Sequence, residues 1–450
     1  MDEDTKKEIK ASVEDNILRS SILGFPQIAF NFGENLILTI FWTICTLAAI
    51  GVSAYLVVDS IITYYEYEVI TKIRVKYETS IVYPSITICN INFFTTQNAN
   101  TFLKSIVNEF DQIDDNFLLF YPTQKALLLN TTELKKLGDS LSKLVQVISI
   151  GKKEANLTEK NFKYFFSTIY GNCYTLLPYT YEDGTEIEPI KAIKPGLENG
   201  IAFLYNFSLV PDIFDFRQGG IVFIHENGSF PTYGDALTIE KGSYVNLGLR
   251  VTKSETLPKP YSSCDPNTGD PNEYDSRLFK STHKSGYKYS QKLCIDLCFH
   301  ELMLKNCSCY FYFLTSWTSG RPCLNNSEFD CTVNLYDDFI NSNLADKLCK
   351  PQCPLECTST AFTKTVSFST SKTLENSDAS YLNLYYEEFY TTEIDETPTM
   401  NIPQLLANIG GNIGLFLGIS VLSLMEIVSI LIEIIQIIFG KNRIKEFEET

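Results

Sequence analysis

Two stretches of this chain stay apolar long enough to dominate its pattern. The first runs from about Leu36 to Val58 and meets no charge before Asp59; the second runs from Leu405 to Phe439. Each exceeds the roughly 20 residues that a helix needs to cross a hydrocarbon layer. Between them the pattern changes. Alternation over Ile81–Ile88 and Gly219–His225 predicts strands, and the spacing over Thr101–Phe110 and Gln291–Leu304 predicts helices. The chain thus divides into a tail (1–35), a first span (36–59), a large region (60–403), a second span (404–439) and a closing tail (440–450). The large region is too long for one simple module, and its mixed pattern predicts an α+β organisation with several subregions. It shows no internal repeat and no low-complexity segment.

The second span is interrupted in a patterned way. It carries Asn408, Gly410, Gly411, Asn412 and Gly414, then Gly418-Ile419-Ser420, then Glu426 and Glu433. At about 100° per residue, Ala407, Gly411, Gly414, Gly418, Leu422, Glu426, Ser429 and Glu433 share one stripe. Ile413, Leu424, Ile427, Leu431 and Ile438 lie opposite and suit lipid. Ionisable groups within a membrane are costly and face a bundle interior or a water-filled path. The stripe therefore reads as the lining of a pore. A helix-packing motif, Gly410-xxx-Gly414-xxx-Gly418, is the alternative, but it leaves Glu426 and Glu433 unexplained.

The first span starts too deep and runs too long for a cleaved signal peptide. Lys6, Lys7, Lys10 and Arg19 precede it, Lys441, Arg443 and Lys445 follow the second span, and Asp59, Glu66 and Glu68 lie beyond the first. The positive-inside tendency places both termini in the cytoplasm. Twelve of the thirteen cysteines lie between the spans, with Cys45 alone in the first. That density, in Cys-x3-Cys and Cys-x-Cys spacings, predicts a disulfide framework in an oxidising compartment. A metal site is the alternative, with only three histidines in the chain to supply partners. Asn-x-Ser/Thr sequons at Asn130, Asn156, Asn206, Asn227, Asn306 and Asn325 fit an extracellular surface. The formal charge of −17 argues against nucleic acid as a partner and fits a surface that concentrates cations. No phosphate loop, metal quartet or nucleophile motif supports an enzyme, a cofactor or a catalytic residue.

Tyr83-Pro84-Ser85-Ile86-Thr87-Ile88-Cys89-Asn90-Ile91-Asn92 resembles the segment after the first span in the degenerin/epithelial sodium channel superfamily. Leu405 to Ser420 resembles that superfamily's second-span and filter signature, and the cysteines from Cys264 to Cys357 resemble the thumb of acid-sensing ion channels. The resemblance implies a plasma-membrane trimer with two transmembrane helices flanking a disulfide-rich α+β extracellular domain of palm, β-ball, knuckle, finger and thumb, the thumb at about 262–358. It implies the pairs Cys89–Cys173, Cys264–Cys357, Cys294–Cys353, Cys298–Cys349, Cys307–Cys331 and Cys309–Cys323.

It also implies roles. Gly418-Ile419-Ser420 stands at the constriction, where rings of oxygen replace part of a cation's hydration shell. Glu426 and Glu433 match acidic pore positions; Gly411 matches a position of amiloride block and Ala407 the degenerin gating position. Asn408 and Ser429 stand where acid-sensing channels carry Asp. Ser20-Ser21-Ile22-Leu23-Gly24 aligns with the N-terminal His-Gly gating motif, with Leu23 replacing the histidine. Tyr67 and Tyr261 match the contact between the first span and the thumb. The histidine pair of acid-sensing channels is replaced by Glu68 and Val69, and only His225, His283 and His300 occur.

The length and short tails resemble the cnidarian RFamide-gated sodium channels. The expectation is thus a homotrimeric or heterotrimeric, sodium-conducting, amiloride-sensitive channel opened by an extracellular peptide. An acidic domain suits a basic amidated peptide. Proton gating is the alternative; it would draw on carboxylates within Glu182–Glu188 or Glu387–Glu396. A trimeric ATP-gated channel would need a phosphate-binding cluster of Lys and Arg, and a two-span receptor would have a second span apolar all round.

Overall fold

The computed structural model describes residues 24–435, apart from 34, 155–156, 208–218, 233–235, 312–319, 371–377, 424, 427 and 433–434. Leu23, Asn156 and Glu433, together with Leu424, Ile427 and Ile438, lie outside the described residues. The chain divides into two units, one formed by the segments up to Ile70 and from Thr397, the other by Thr71–Glu396.

In the first unit, the helix Leu36–Tyr65 starts at Asn35, whose side chain accepts the Leu38 N–H. At 1.5 Å per residue, its 30 residues span about 45 Å. It runs past the expected boundary at 59, because a charge marks where a helix leaves apolar surroundings and does not stop the helix. Only Thr46 and Ser53 are buried on it; a helix this apolar with its side chains outward is suited to lipid. The short helix Phe25–Asn31 packs on it.

The second apolar segment is not one helix from 404 to 439. A leading half-helix, Ile402–Leu417, begins with a capping box in which Asn401 and Gln404 bond each other's backbone amides. It ends at Gly418, and a trailing half-helix, Val421–Ile432, resumes at a bend of 76°. The single polar stripe is therefore corrected. Ala407, Gly411 and Gly414 share the leading half-helix, whereas Leu422, Glu426 and Ser429 follow the bend, so the 100° rule does not carry across Gly418. Among the described residues, Leu36–Tyr65 is the one unbroken helix long and apolar enough to cross a membrane, and the bent pair qualifies only if taken together.

The second unit is built on two sheets. The larger runs Thr358–Thr370, Ser243–Glu255, Ala379–Pro398, Ile201–Asn206, Val145–Ile150, Lys153–Glu154, with Val69–Tyr77 also paired to Ala379–Pro398. The smaller runs Ala236–Glu240, Gly219–His225, Ser85–Asn90, Gly171–Leu176, Phe162–Ser167. Ile86, Ile88, Val222 and Ile224 of the smaller sheet share one core with Phe203, Leu247, Leu249, Leu382 and Leu384 of the larger, burying the inward residues of both. Pro84 splits the run expected over Ile81–Ile88 into Ile81–Val82 and Ser85–Asn90, since proline has no amide for the ladder.

The helix expected over Thr101–Phe110 begins earlier. Thr96 caps Gln97–Ile106, and a 3-10 turn, Val107–Gln112, follows. The helix expected over Gln291–Leu304 extends to Cys307 and ends on Ser308 in the left-handed conformation. It packs with Arg277–Lys284 and Asn326–Asn341 around a core containing Phe279, Leu293, Phe299 and Met303. Five disulfides staple this helical subregion: Cys264–Cys357, Cys294–Cys353, Cys298–Cys349, Cys307–Cys331 and Cys309–Cys323. The sixth, Cys89–Cys173, joins partners in register on adjacent strands.

Candidate functional site

The leading half-helix presents Ala407, Asn408 and Gly411 on exposed surface. A Cβ added at Gly410 or Gly411 would meet nothing within 4 Å. Of the alternative packing motif Gly410-xxx-Gly414-xxx-Gly418, Gly410 is thus not approached by another part of this chain among the described residues.

Gly418 adopts φ 69°, a left-handed conformation that glycine takes without steric cost, and its N–H donates to the Gly414 carbonyl at 3.0 Å. Two residues on, Ser420 and Ser423 bond reciprocally. The Ser420 N–H donates to Ser423 Oγ at 3.1 Å, and the Ser423 N–H donates to Ser420 Oγ at 3.3 Å. Gly-x-Ser is thus, in local terms, a helix stop and a helix start separated by one residue. Glu426 and Ser429 are exposed on the trailing half-helix, one turn apart. The sequence reading missed Ser423; the Ser-x-x-Ser spacing at a helix start could have pointed to it.

Gly24 is in the left-handed region, with φ 99°, and a Cβ there would overlap the Thr46 hydroxyl. Tyr67 (φ 52°) has its ring 6.2 Å from both Tyr64 and Tyr65. Tyr261 follows the cis Lys259–Pro260 bond, and its N–H donates to the Pro258 carbonyl.

The candidate proton sensors are largely engaged elsewhere. Glu387 pairs with Arg250, Glu393 and Asp395 with Arg74, and Glu396 accepts the Leu257 N–H. Within Glu182–Glu188, hydrogen bonds from Thr185 hold the Asp183 carboxyl below its ordinary range. His225 is buried, with Nε2 2.8 Å from Thr87 Oγ1. His283 stacks on Tyr289. Burial pushes His300 down to about 4, so it is neutral at ordinary pH.

The sequons Asn130, Asn206, Asn227, Asn306 and Asn325 all lie on exposed residues. Cys309, Cys323 and Glu328 are close enough to hold a metal ion, but the two sulfurs are bonded to each other and are not free thiolates.

Residues 17–430 match the family described as Amiloride-sensitive sodium channel. The chain belongs to that family. It is a family of ion channels and not of enzymes. Among similar proteins, the epithelial sodium channel subunit beta of Canis lupus familiaris is 29% identical over 304 residues, covering 62% of this chain and 46% of that protein. The Homo sapiens subunit beta is 28% identical over 304 residues, with the same coverage. Epithelial sodium channel subunit gamma of Neoceratodus forsteri is 26% identical over 307 residues, covering 62% and 44%. The chain thus spans about half the length of these relatives. A solved structure of a proton-activated chloride channel covers 88% of this chain and 98% of its own, at 6% identity and a TM-score of 0.34, too low to carry an argument.

Proposed function

We propose that this chain is one subunit of a trimeric, sodium-conducting channel of the plasma membrane, blocked by amiloride and opened by an extracellular peptide of the RFamide type. The observation that carries the channel reading is the apolar segment broken and capped at Gly418 and Ser420, with Glu426 exposed beyond the break. Backbone that leaves helical geometry at membrane depth is tolerated where it is enclosed by protein or lines a water-filled path. In this reading Gly418, Ile419 and Ser420 form the constriction, and Glu426 and Glu433 contribute carboxylate rings that attract cations. Ala407, Asn408 and Gly411 line the outer mouth, where amiloride acts.

The two apolar segments are its spans, with both termini cytoplasmic and the disulfide-rich unit and its glycans outside. Leu23 and Gly24 serve in gating, and Tyr67 with Tyr261 couples the thumb to the pore. The assembly is a homotrimer or includes sister subunits.

Peptide gating draws support from the acidic chain and from the histidines. His300 is held neutral, and Glu68 and Val69 stand just after the first span where acid-sensing channels carry a histidine pair. One observation favours the proton-gated alternative: desolvation pushes Asp296 up to about 6 against the pull of Lys292. The Asp296 side chain is nevertheless exposed, and water at its surface argues for a smaller shift. Whole-cell recording tests the choice, with the chain expressed alone and with sister subunits. The expected result is an amiloride-blocked Na+ current when RFamide peptide is applied at neutral pH. A current that ignores peptide and appears on acidification would replace peptide by proton as the ligand.

A further inference from the structure

We propose that Ser423 is a positioning residue for the constriction. By capping and being capped by Ser420, it sets where the trailing half-helix begins and how the Gly418–Ser420 backbone is held. The inference rests on the reading of Gly418-Ile419-Ser420 as the constriction.

A helix start leaves four backbone N–H groups without intrahelical partners. On a soluble protein water satisfies them, but within a hydrocarbon layer it does not. A break at this depth persists where it is enclosed by protein or lines a water-filled path, and side chains of the chain itself can supply partners for its amides. The two serines do so reciprocally. Ser420 Oγ takes the Ser423 amide, Ser423 Oγ takes the Ser420 amide, and the two hydroxyl oxygens lie 3.3 Å apart. This is the N-cap-to-N3 arrangement of a capping box, with serine where glutamate or glutamine is commoner.

Burial supports the assignment. Ser423 is 1% exposed, whereas Val421, Leu422, Met425 and Glu426 around it are exposed. A lone hydroxyl buried amid apolar neighbours costs free energy unless it is bonded, and this one is bonded to the constriction's own backbone. On the other side of Ile419, the Gly418 N–H is returned to Gly414. The short non-helical link is thus tied at both ends, and Ser423 is the tie that lies outside the Gly-x-Ser motif. The Ser420 hydroxyl oxygen is thereby held within bonding distance of Ser423.

Two measurements on the full chain in cell membranes test this. In a Cys45→Ser background, Ser420→Cys combined with Ser423→Cys should lose both new thiols together on mild oxidation. Reductant should restore them, read by maleimide labelling against each single variant. Thiols that stay reactive after oxidation would show that the two side chains are not neighbours and would overturn the inference, whether or not current flows. In recordings, Ser423→Ala should lower the Na+ over K+ permeability ratio about threefold to tenfold, the worth of one lost cap. Ser423→Thr, which keeps the hydroxyl, should restore it. A Ser423→Ala channel at normal surface level with an unchanged ratio would also overturn the inference. A wild-type chain without current would count against the proposed function, and the thiol result would then decide this inference alone.

Discussion

Gly24 lies against Thr46 so closely that a methyl group on Gly24 would occupy the space of the Thr46 hydroxyl. That hydroxyl donates to the Trp42 carbonyl at 2.8 Å and is fixed by its own helix. With φ at 99°, the glycine is required twice, by backbone conformation and by space. Gly24→Ala should therefore destabilise this end of the chain by about 1–3 kcal/mol. Adding Thr46→Ala should recover only the steric part. Thermal melting of detergent-solubilised protein reads both effects; a Gly24→Ala variant that melts with the wild type would show that the contact is not made.

Acid should weaken the disulfide-stapled subregion through His300. Its folded pKa is depressed to about 4, below the ordinary value, so the folded state stays neutral while the unfolded chain takes up a proton. Stability is then fully present above the unfolded pKa of about 6.5 and is lost as pH falls toward 4, by up to about 3 kcal/mol. Melting temperature should fall between pH 7 and pH 5, and His300→Leu should flatten that slope. An unchanged slope in the variant would assign the acid sensitivity elsewhere.

The disulfides should differ in worth by the length of chain they close. Cys89–Cys173 closes 84 residues and Cys309–Cys323 closes 14. Loop-closure entropy makes the first worth about 1.5 kcal/mol more than the second. Cys89→Ser with Cys173→Ser should thus cost more melting temperature and surface delivery than Cys309→Ser with Cys323→Ser. The reverse order would point to native-state strain instead of chain entropy.

Asn130 caps a helix and also heads a glycosylation sequon, and the two can be separated. Its side-chain oxygen accepts the Glu133 N–H at 3.0 Å and caps the helix Thr131–Lys135, while its side-chain nitrogen is the atom that would carry a glycan. Asn130→Gln should remove the glycan and the cap, costing about 1 kcal/mol. Thr132→Ala should remove the glycan alone. Both should run lighter than the wild type by the same one-glycan increment, a difference that glycosidase treatment abolishes, and only the first should lower the melting temperature.

Much of this architecture was legible in the residues because it depends on composition over long windows. The long apolar helix at Leu36 needed only the absence of charge, and the α+β pattern needed only the alternation of Gly219–His225 and the period of Gln291–Leu304. The twelve cysteines between the two apolar segments form the same six pairs that the family resemblance implied. Their spacing alone could not have selected among the possible pairings.

What escaped was local. The helical wheel through Gly418 presumed a continuous rotation, but one residue in the left-handed conformation ended it. Ser423 carried no signal in the pattern, because a cap is defined by where a helix starts, and that start was not visible there. Pro84 split a strand for the same kind of reason. A single missing amide outweighed an alternation that was otherwise correct.

The break at Gly418 has a consequence for assembly. Its hydrogen bonds are closed within one polypeptide, by Gly414 on one side and Ser423 on the other. A lone subunit, newly inserted and not yet joined to others, thus already contains the kink. In the proposed channel, the narrow point of the ring would then be inherited from each member instead of being created by their meeting, and a complex of unlike subunits would carry as many independent copies of it as it has chains.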